Sequence, residues 1–179
     1  MHWGRKLARA VLAAVVLFAG TYALAWFNSY NLSRTYYRQA EASYRAGRYI
    51  EALMGYKSYD QAHQRRVFVG GYAQVVNIWE HPWALPRPAV YEEARAKVME
   101  IIHQKFTRQD AQLFLDRYLG RENPYLGEVM LRMAKLYEQE GDDESALEVY
   151  HLITESFRAD RALVERAKER AAALERKKE

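Results

Sequence analysis

The sequence predicts an all-α protein with an N-terminal transmembrane helix. Helix formers dominate the 179 residues, which include only nine Gly and four Pro. Through most of the chain, apolar and aromatic residues recur at three- and four-residue steps, the spacing of one helix face. The chain also begins with a long stretch that lacks charge beyond its first few residues. The length suits one folded domain plus an appendage.

Charge and cysteine content exclude several classes of function. The net charge of +4 comes from the chain ends: residues 1–33 carry +3, residues 158–179 carry +3, and residues 34–157 carry −2. Because a nucleic-acid reader needs a basic face on its folded body, we expect no nucleic-acid partner. The chain has no cysteine, which excludes disulfides, thiolate metal sites and a thiol nucleophile.

The first predicted element is a transmembrane helix at residues 10–30. The segment from Ala10 to Phe27 reads AVLAAVVLFAGTYALAWF and contains no charge. It has about the length needed to cross a hydrocarbon core of roughly 30 Å. Aromatic side chains that favour the lipid–water boundary flank its two ends. They are Trp3, Tyr22, Trp26 and Tyr30.

Charge predicts the orientation of this helix. Arg5, Lys6 and Arg9 should keep residues 1–9 in the cytoplasm. The protein would then lie in the cytoplasmic membrane as a single-pass protein with a periplasmic body. The alternative is a cleaved signal peptide that ends at the Ala-Leu-Ala of residues 23–25. Continuation of the apolar run through Trp26 and Phe27 favours a retained anchor.

The first part of the body is expected to continue the membrane helix. Gly47 should end that helix, and a second helix should begin near Tyr49. The adjacent Gly70 and Gly71 permit a hairpin turn between short strands. However, five large residues nearby share one helical face, so we predict a helix there. They are Phe68, Tyr72, Val75, Val76 and Trp79.

Three prolines predict a loop at residues 81–88. Pro88 suits the first turn of the next helix, and that helix should reach about Phe106. Thr107 and Asp110 resemble a capping pattern for a short helix that ends at Leu119. Further helices are expected at about residues 124–140 and 142–157. A capping helix at residues 161–178 should present one apolar face, formed by Leu163, Ala167, Ala171 and Leu174.

Two segments share a spacing of small and large residues. One reads YYRQAEASYRAGRYIEALMGY (36–56) and the other MLRMAKLYEQEGDDESALEVY (130–150). Aligning Gly47 with Gly141 brings Ala40 opposite Ala134, and it also pairs two later positions, Ala52 with Ala146 and Tyr56 with Tyr150. Antiparallel helices approach closely only where the facing residues are small, so these alanines should lie at helix–helix contacts.

This frame resembles the tetratricopeptide repeat (TPR), a helix–turn–helix unit of 34 residues. The resemblance implies a TPR-like helical domain at residues 31–179, with clear repeats at about 33–66 and 127–160. The two frames begin near Ser33 and Gly127, 94 residues apart. Because 94 is not a multiple of 34, the helical middle at 67–126 must be irregular. In layout the chain is similar to membrane-anchored bacterial TPR proteins.

The resemblance also implies a groove for a protein partner, lined by the first helix of each pair. Tyr and Arg, which are frequent interface anchors, occur among these positions. A simple solvated helix face explains the same residues equally well. The positions carried over are Arg34, Tyr37, Glu41, Tyr44, Arg45, Leu131, Lys135, Glu138 and Gln139.

Candidate chemistry is sparse. Glu100 with His103 and Glu148 with His151 repeat the Glu-x-x-His spacing of di-iron helical bundles. Coincidence in a Glu-rich helical chain explains them better, so we expect no metal and no cofactor. Phosphate-loop, dinucleotide and nucleophile motifs are missing from the sequence, and we expect no enzyme activity.

A cluster of tryptophans and prolines lies at residues 79–88, where Trp79 and Trp83 are separated by Pro82. These residues could dock a partner or touch lipid headgroups. We favour the simpler interpretation, in which they cover an edge of the core.

Two functions remain open at the sequence level. The first is a membrane-anchored TPR adaptor whose groove binds a protein at the outer face of the cytoplasmic membrane. The alternative is a structural accessory subunit of a membrane complex, which braces other subunits through its helix and repeats. For this alternative, small residues along the predicted span would permit helix–helix packing. They are Ala10, Ala13, Ala14, Gly20 and Ala23.

Overall fold

The computed structural model describes residues 2–178, which form eight α-helices, one π-helical turn (Ile101–Lys105) and one two-stranded sheet. The helices are α1 (His2–Arg45), α2 (Tyr49–Met54), α3 (Tyr72–Trp79), α4 (Ala89–Glu100), α5 (Arg108–Tyr118), α6 (Leu126–Glu140), α7 (Asp143–Ser156) and α8 (Arg161–Lys178). The strands are β1 (Tyr56–Asp60) and β2 (Arg65–Val69). The predicted, mostly helical character is confirmed. The chain divides into two compact units, at a boundary between Ala96 and Lys97.

Helix α1 is continuous over 44 residues. From Leu7 onward it is long and apolar enough to cross a membrane, and its most apolar window is not buried inside the protein. As the sequence predicts, it runs without a break past residue 30 and into the packed part of the first unit. Its orientation stays a prediction, and the side chains of Arg5 and Lys6, on which that prediction depends, lie outside the described residues.

The C-terminal part of α1 is a core element of the first unit. Ala40 on α1 and Ala52 on α2 are fully buried where these two helices pack together. Gly47, at φ 71°, forms the turn that ends α1. Helix α2 has only six residues. The second helix of the repeat predicted at residues 33–66 is therefore much shorter than its pattern indicates.

A β-hairpin follows α2 where the sequence analysis predicts helical structure. Strands β1 and β2 pair antiparallel, with Tyr56 opposite Val69 and Asp60 opposite Arg65. The prediction that Phe68 lies on one helix with Trp79 is wrong, because that helix, α3, begins only at Tyr72. The helical spacing is real from Tyr72 onward, and four of the five predicted face residues are buried there.

The two adjacent glycines explain this boundary. A Cβ on Gly70 would collide with the ring of Tyr36 on α1. A Cβ on Gly71 would lie 2.6 Å from the carbonyl oxygen of Leu53 and 2.8 Å from that of Ala52. The glycines therefore mark the point at which the chain leaves β2, passes close to α1 and α2, and enters α3.

Helices lie in the second unit at the positions where the sequence predicts them. The Thr107 hydroxyl caps α5 by accepting the Asp110 N–H at 3.2 Å. Gly141 ends α6 in the left-handed conformation, and Asp142 caps α7 by accepting the Ser145 N–H at 3.1 Å. The predicted apolar face of α8 is buried along its length, at Leu163, Ala167, Ala171 and Leu174.

The alanines of the second repeat frame occupy the positions that close packing requires. Ala134 on α6 and Ala146 on α7 are both fully buried, and the two helices pack against each other. Tyr150, the aromatic position of the frame, is also fully buried. The helix pair predicted from this frame therefore forms with its small residues inside.

We expect Gly71→Ala to destabilise the first unit. The new methyl group meets backbone atoms, which cannot rotate away, so the cost should be about 1–3 kcal/mol of unfolding free energy. Thermal unfolding in detergent, followed by tryptophan fluorescence, to which buried Trp79 contributes, measures this. Gly20→Ala is the matched control, since nothing lies within 4 Å of a Cβ there. Equal unfolding temperatures for both variants would contradict the packing described.

Candidate functional site

The predicted groove residues of the first unit lie on one face of α1. Arg34, Tyr37, Glu41 and Arg45 are separated by three, four and four residues. Together with Arg38 they line two neighbouring open clefts on the surface of this unit. Residues 88–90 and Glu93 form the other side of the first cleft. This part of the predicted groove is therefore accessible.

The charges on this face are mainly positive. The carboxylate of Glu41 accepts a hydrogen bond from the Tyr72 hydroxyl at 2.5 Å, and the Arg45 Nε lies 3.6 Å from it. Burial, followed by the contact with Glu41, raises the pKa of Tyr72 above its usual range, so the hydroxyl remains a donor. Arg34 and Arg38 are exposed beside this pair. The surface thus carries three arginines and two glutamates: the Tyr72 hydroxyl holds Glu41, whereas Glu93 is exposed on the other side of the first cleft.

Aromatic rings support this face from behind. Tyr37 and Tyr44 both make edge-to-face contacts with Tyr72, at ring-centre distances of 5.4 Å and 6.5 Å. Tyr44 also contacts Tyr49 at 5.5 Å. Tyr44 is therefore part of an aromatic cluster, whereas Tyr37 still lines the clefts. Rings packed in this way hold the α1 backbone against α2 and α3.

Unlike the residues on α1, the groove residues predicted on α6 do not form one accessible face. Leu131 is fully buried and cannot contact a partner, because α6 turns that face into the core of the second unit. The carboxylate of Glu138 accepts hydrogen bonds from the Tyr150 hydroxyl at 2.5 Å and from Arg170 of α8. Only Gln139 is well exposed, while Lys135 is half-buried. Arg170 of α8 therefore occupies the Glu138 carboxylate that was expected to face a partner.

The second unit has a different open cleft, between α5 and α6, that the sequence analysis missed. The guanidinium of Arg108 lies 5.7 Å from the centre of the Tyr137 ring and 3.4 Å from the carboxylate of Glu140. The exposed Leu113, in the otherwise polar outer face of α5, was the available signal. The cleft is lined by Arg108, Gln109, Gln112, Leu113, Asp116 and Tyr137.

The two Glu-x-x-His motifs do not converge. Glu100 is held by Lys97 at 2.8 Å, while His103 points to a different carboxylate, Glu128, at 3.3 Å. His151 lies 3.6 Å from Glu175 of α8. Within residues 2–178, no group of three potential ligands is arranged to hold a metal ion. Each of these two histidines therefore contacts a carboxylate in the second unit outside its own motif.

Glu128 is the centre of a network of side-chain contacts. Its carboxylate contacts His103, and it also accepts hydrogen bonds from the guanidinium of Arg166 on α8. The hydrogen bond with His103, and then the contacts with Arg166, lower the pKa of Glu128 from 4.5 to about 2. This network ties the π-helical turn, α6 and α8 together.

The tryptophan–proline cluster divides between two environments. Trp79 is 1% exposed and covers the core, as the sequence analysis favours. Its ring also contacts Trp26 of α1 edge-to-face at 5.6 Å. Trp83, however, is 77% exposed, so the expectation that it covers a core edge is wrong.

Comparison with protein-family models, curated proteins and solved structures finds no match for this chain. The contacts and charges described above therefore carry the functional argument.

The Glu128 network predicts an acid-sensitive second unit. Because folding lowers the pKa of Glu128, the stability it contributes is complete above about pH 4.5 and is lost as the pH falls towards 2. Glu128→Gln should cost about 1–2 kcal/mol near pH 7 and lose less stability over that acid range. Thermal unfolding followed by circular dichroism at several pH values measures both effects.

Glu148→Gln is the matched control for this experiment, since Glu148 is an exposed carboxylate in the same unit. It should retain the wild-type pH profile. If Glu128→Gln also retained that profile, the network would have no part in the acid response.

Proposed function

We propose that this chain is a membrane-anchored adaptor that binds an extended, acidic protein segment on the outer surface of α1. The observation that carries the proposal is that one unbroken helix contains both the apolar stretch and the face lined by arginine and tyrosine. A partner bound on that face is held next to the bilayer without any flexible connection.

The chemistry of the face defines the class of partner. Arg34, Arg38 and Arg45 are exposed around the half-buried Tyr37. Guanidinium groups pair with carboxylates through two parallel hydrogen bonds, and a tyrosine ring gives contact area at low entropic cost. From Arg34 to Arg45 the helix rises roughly 16 Å, which matches about five residues of an extended chain.

The proposed location follows from charge. Basic residues before the span should stay in the cytoplasm, so the part of the first unit that follows the span, with its arginine face, should lie on the periplasmic side. The TPR-like spacing supports the adaptor proposal, because helical repeats of that kind use first-helix surfaces for binding. That support comes from architecture alone, and the partner is defined only by the α1 face.

The alternative is a fixed structural subunit of a membrane complex. Purification in a gentle detergent separates the two functions. An adaptor should emerge alone or with variable partners, whereas a structural subunit should emerge with partners in fixed stoichiometry.

A photo-crosslinker at Tyr37 tests the α1 face directly. In membranes of the producing cells, it should give a defined protein adduct, while a crosslinker at the exposed Tyr59 of the hairpin should not. Reversing Arg34 and Arg38 to Glu should reduce the adduct by roughly tenfold or more, since a charge-assisted contact contributes about 1.5–3 kcal/mol.

The matched control is the double reversal of Lys57 and Arg66 to Glu, which changes the same number of exposed charges on the hairpin. Reversal of Arg34 and Arg38 removes positive charge beyond the span, so it does not oppose the expected orientation. Equal adduct yields from both double variants would contradict the proposed site.

A further inference from the structure

The loop at residues 81–88 leaves large apolar side chains uncovered beside α1. Trp83 is 77% exposed and Leu85 is 55% exposed. With Phe18 and Tyr22 of α1 they line an open, almost wholly apolar cleft of about 570 Å³. In water, such a patch on a folded unit would be unfavourable, so its position on the apolar part of α1 is informative.

The backbone of this loop is hydrogen-bonded to α1 side chains. The Tyr22 hydroxyl lies 2.8 Å from the carbonyl oxygen of Trp83 and also contacts that of Leu85, and it accepts the Leu85 N–H at 3.2 Å. The Trp26 indole donates to the carbonyl oxygen of Pro86 at 2.9 Å. The single hydroxyl proton of Tyr22 can be donated to one of these two carbonyls at a time, and the Trp26 indole holds a third carbonyl.

The remaining backbone donors of the loop tip are also satisfied. Pro82 and Pro86 have no N–H to satisfy. The Trp83 N–H donates to the His81 ring at 3.3 Å, and the Ala84 N–H donates to the His81 carbonyl at 2.9 Å. Irregular backbone is tolerated at membrane depth only when its polar groups have partners within the protein. This loop tip meets that condition for every backbone N–H from residue 82 to 86.

The depth of the contact follows from the helix rise. The apolar run of α1 ends at Phe27. At 1.5 Å per residue, Tyr22 and Phe18 lie roughly 7 Å and 13 Å from Phe27 in the direction of the N-terminus. Both residues are therefore within the segment that would cross the hydrocarbon core. Because Trp83 and Leu85 share a cleft with these two residues, they lie at a similar depth. Charges flank the loop tip only at Glu80 and Arg87.

From this geometry we propose that the tip of the loop, residues 82–86, inserts into the outer leaflet, where lipid acyl chains cover Trp83 and Leu85. The loop is then a second membrane contact that fixes the rotation of the first unit about α1. This inference rests on the proposed membrane span, and it adds a contact that the span alone does not require.

Absence of native cysteine permits a clean test with single labelled cysteines in the full chain, reconstituted in lipid bilayers. An environment-sensitive fluorophore is placed at Leu85→Cys, with Leu17→Cys as the control for the span and Gln61→Cys as the control for water. Quenching is measured with lipids that carry a nitroxide on the acyl chain, and separately with aqueous iodide.

The proposal predicts that the label at residue 85 is quenched by the nitroxide lipids and shielded from iodide, as at residue 17. The label at residue 61 should show the reverse. If residue 17 is lipid-quenched but residue 85 behaves like residue 61, loop insertion is wrong and the span stands. If residue 17 itself is quenched by iodide, the span and the inserted loop both fail.

A second variant tests how the loop is held. Tyr22→Phe keeps the ring but removes the hydroxyl that satisfies the loop backbone, so the label at residue 85 should gain iodide quenching. Tyr59→Phe, in the hairpin, should leave that quenching unchanged. An unchanged signal at residue 85 in Tyr22→Phe would overturn the positioning role of Tyr22.

Discussion

The continuity of α1 is the constraint on which the rest of the structure depends. A single helix supplies the apolar stretch and then a wall of the first unit's core, through Ala40 and the aromatic contacts of Tyr37. A hydrogen-bonded helix has no flexible joint unless Pro, Gly or an inserted group breaks its ladder. The arginine face and the apolar loop of the first unit are therefore fixed relative to the axis of the apolar stretch.

Each unit also uses a buried tyrosine to hold a glutamate on a long helix. Tyr72 donates to Glu41 of α1, and Tyr150 donates to Glu138 of α6. Burial is the first cause that raises the pKa of both hydroxyls. The consequence differs, because Glu41 remains beside open clefts whereas Arg170 of α8 covers Glu138. An accessible first-helix face is therefore found on α1 but is largely closed on α6.

The features that the sequence predicts correctly are those that depend on residues close together along the chain. Capping at Thr107, the apolar face of α8 and the alanine spacing of α6 and α7 depend on residues close in sequence, and the structure agrees with them. The sequence does not predict the hairpin for two reasons. Val67 and Val69 suit a strand only when β1 pairs with them. In addition, the helical spacing of the next segment hides the boundary between β2 and α3. The burial of Leu131 and the exposure of Trp83 depend on distant packing partners, which spacing along the chain does not reveal.

Amide hydrogen exchange of the full chain in lipid nanodiscs tests the central claim most directly. An unbroken α1 predicts slow exchange that continues without a gap from the apolar run, through residues 28–33, to Ala40, because every N–H there stays within the helix ladder. A fast-exchanging segment between Phe27 and Arg34 would show a flexible linker in place of the helix. That result would contradict the rigid connection between membrane and body.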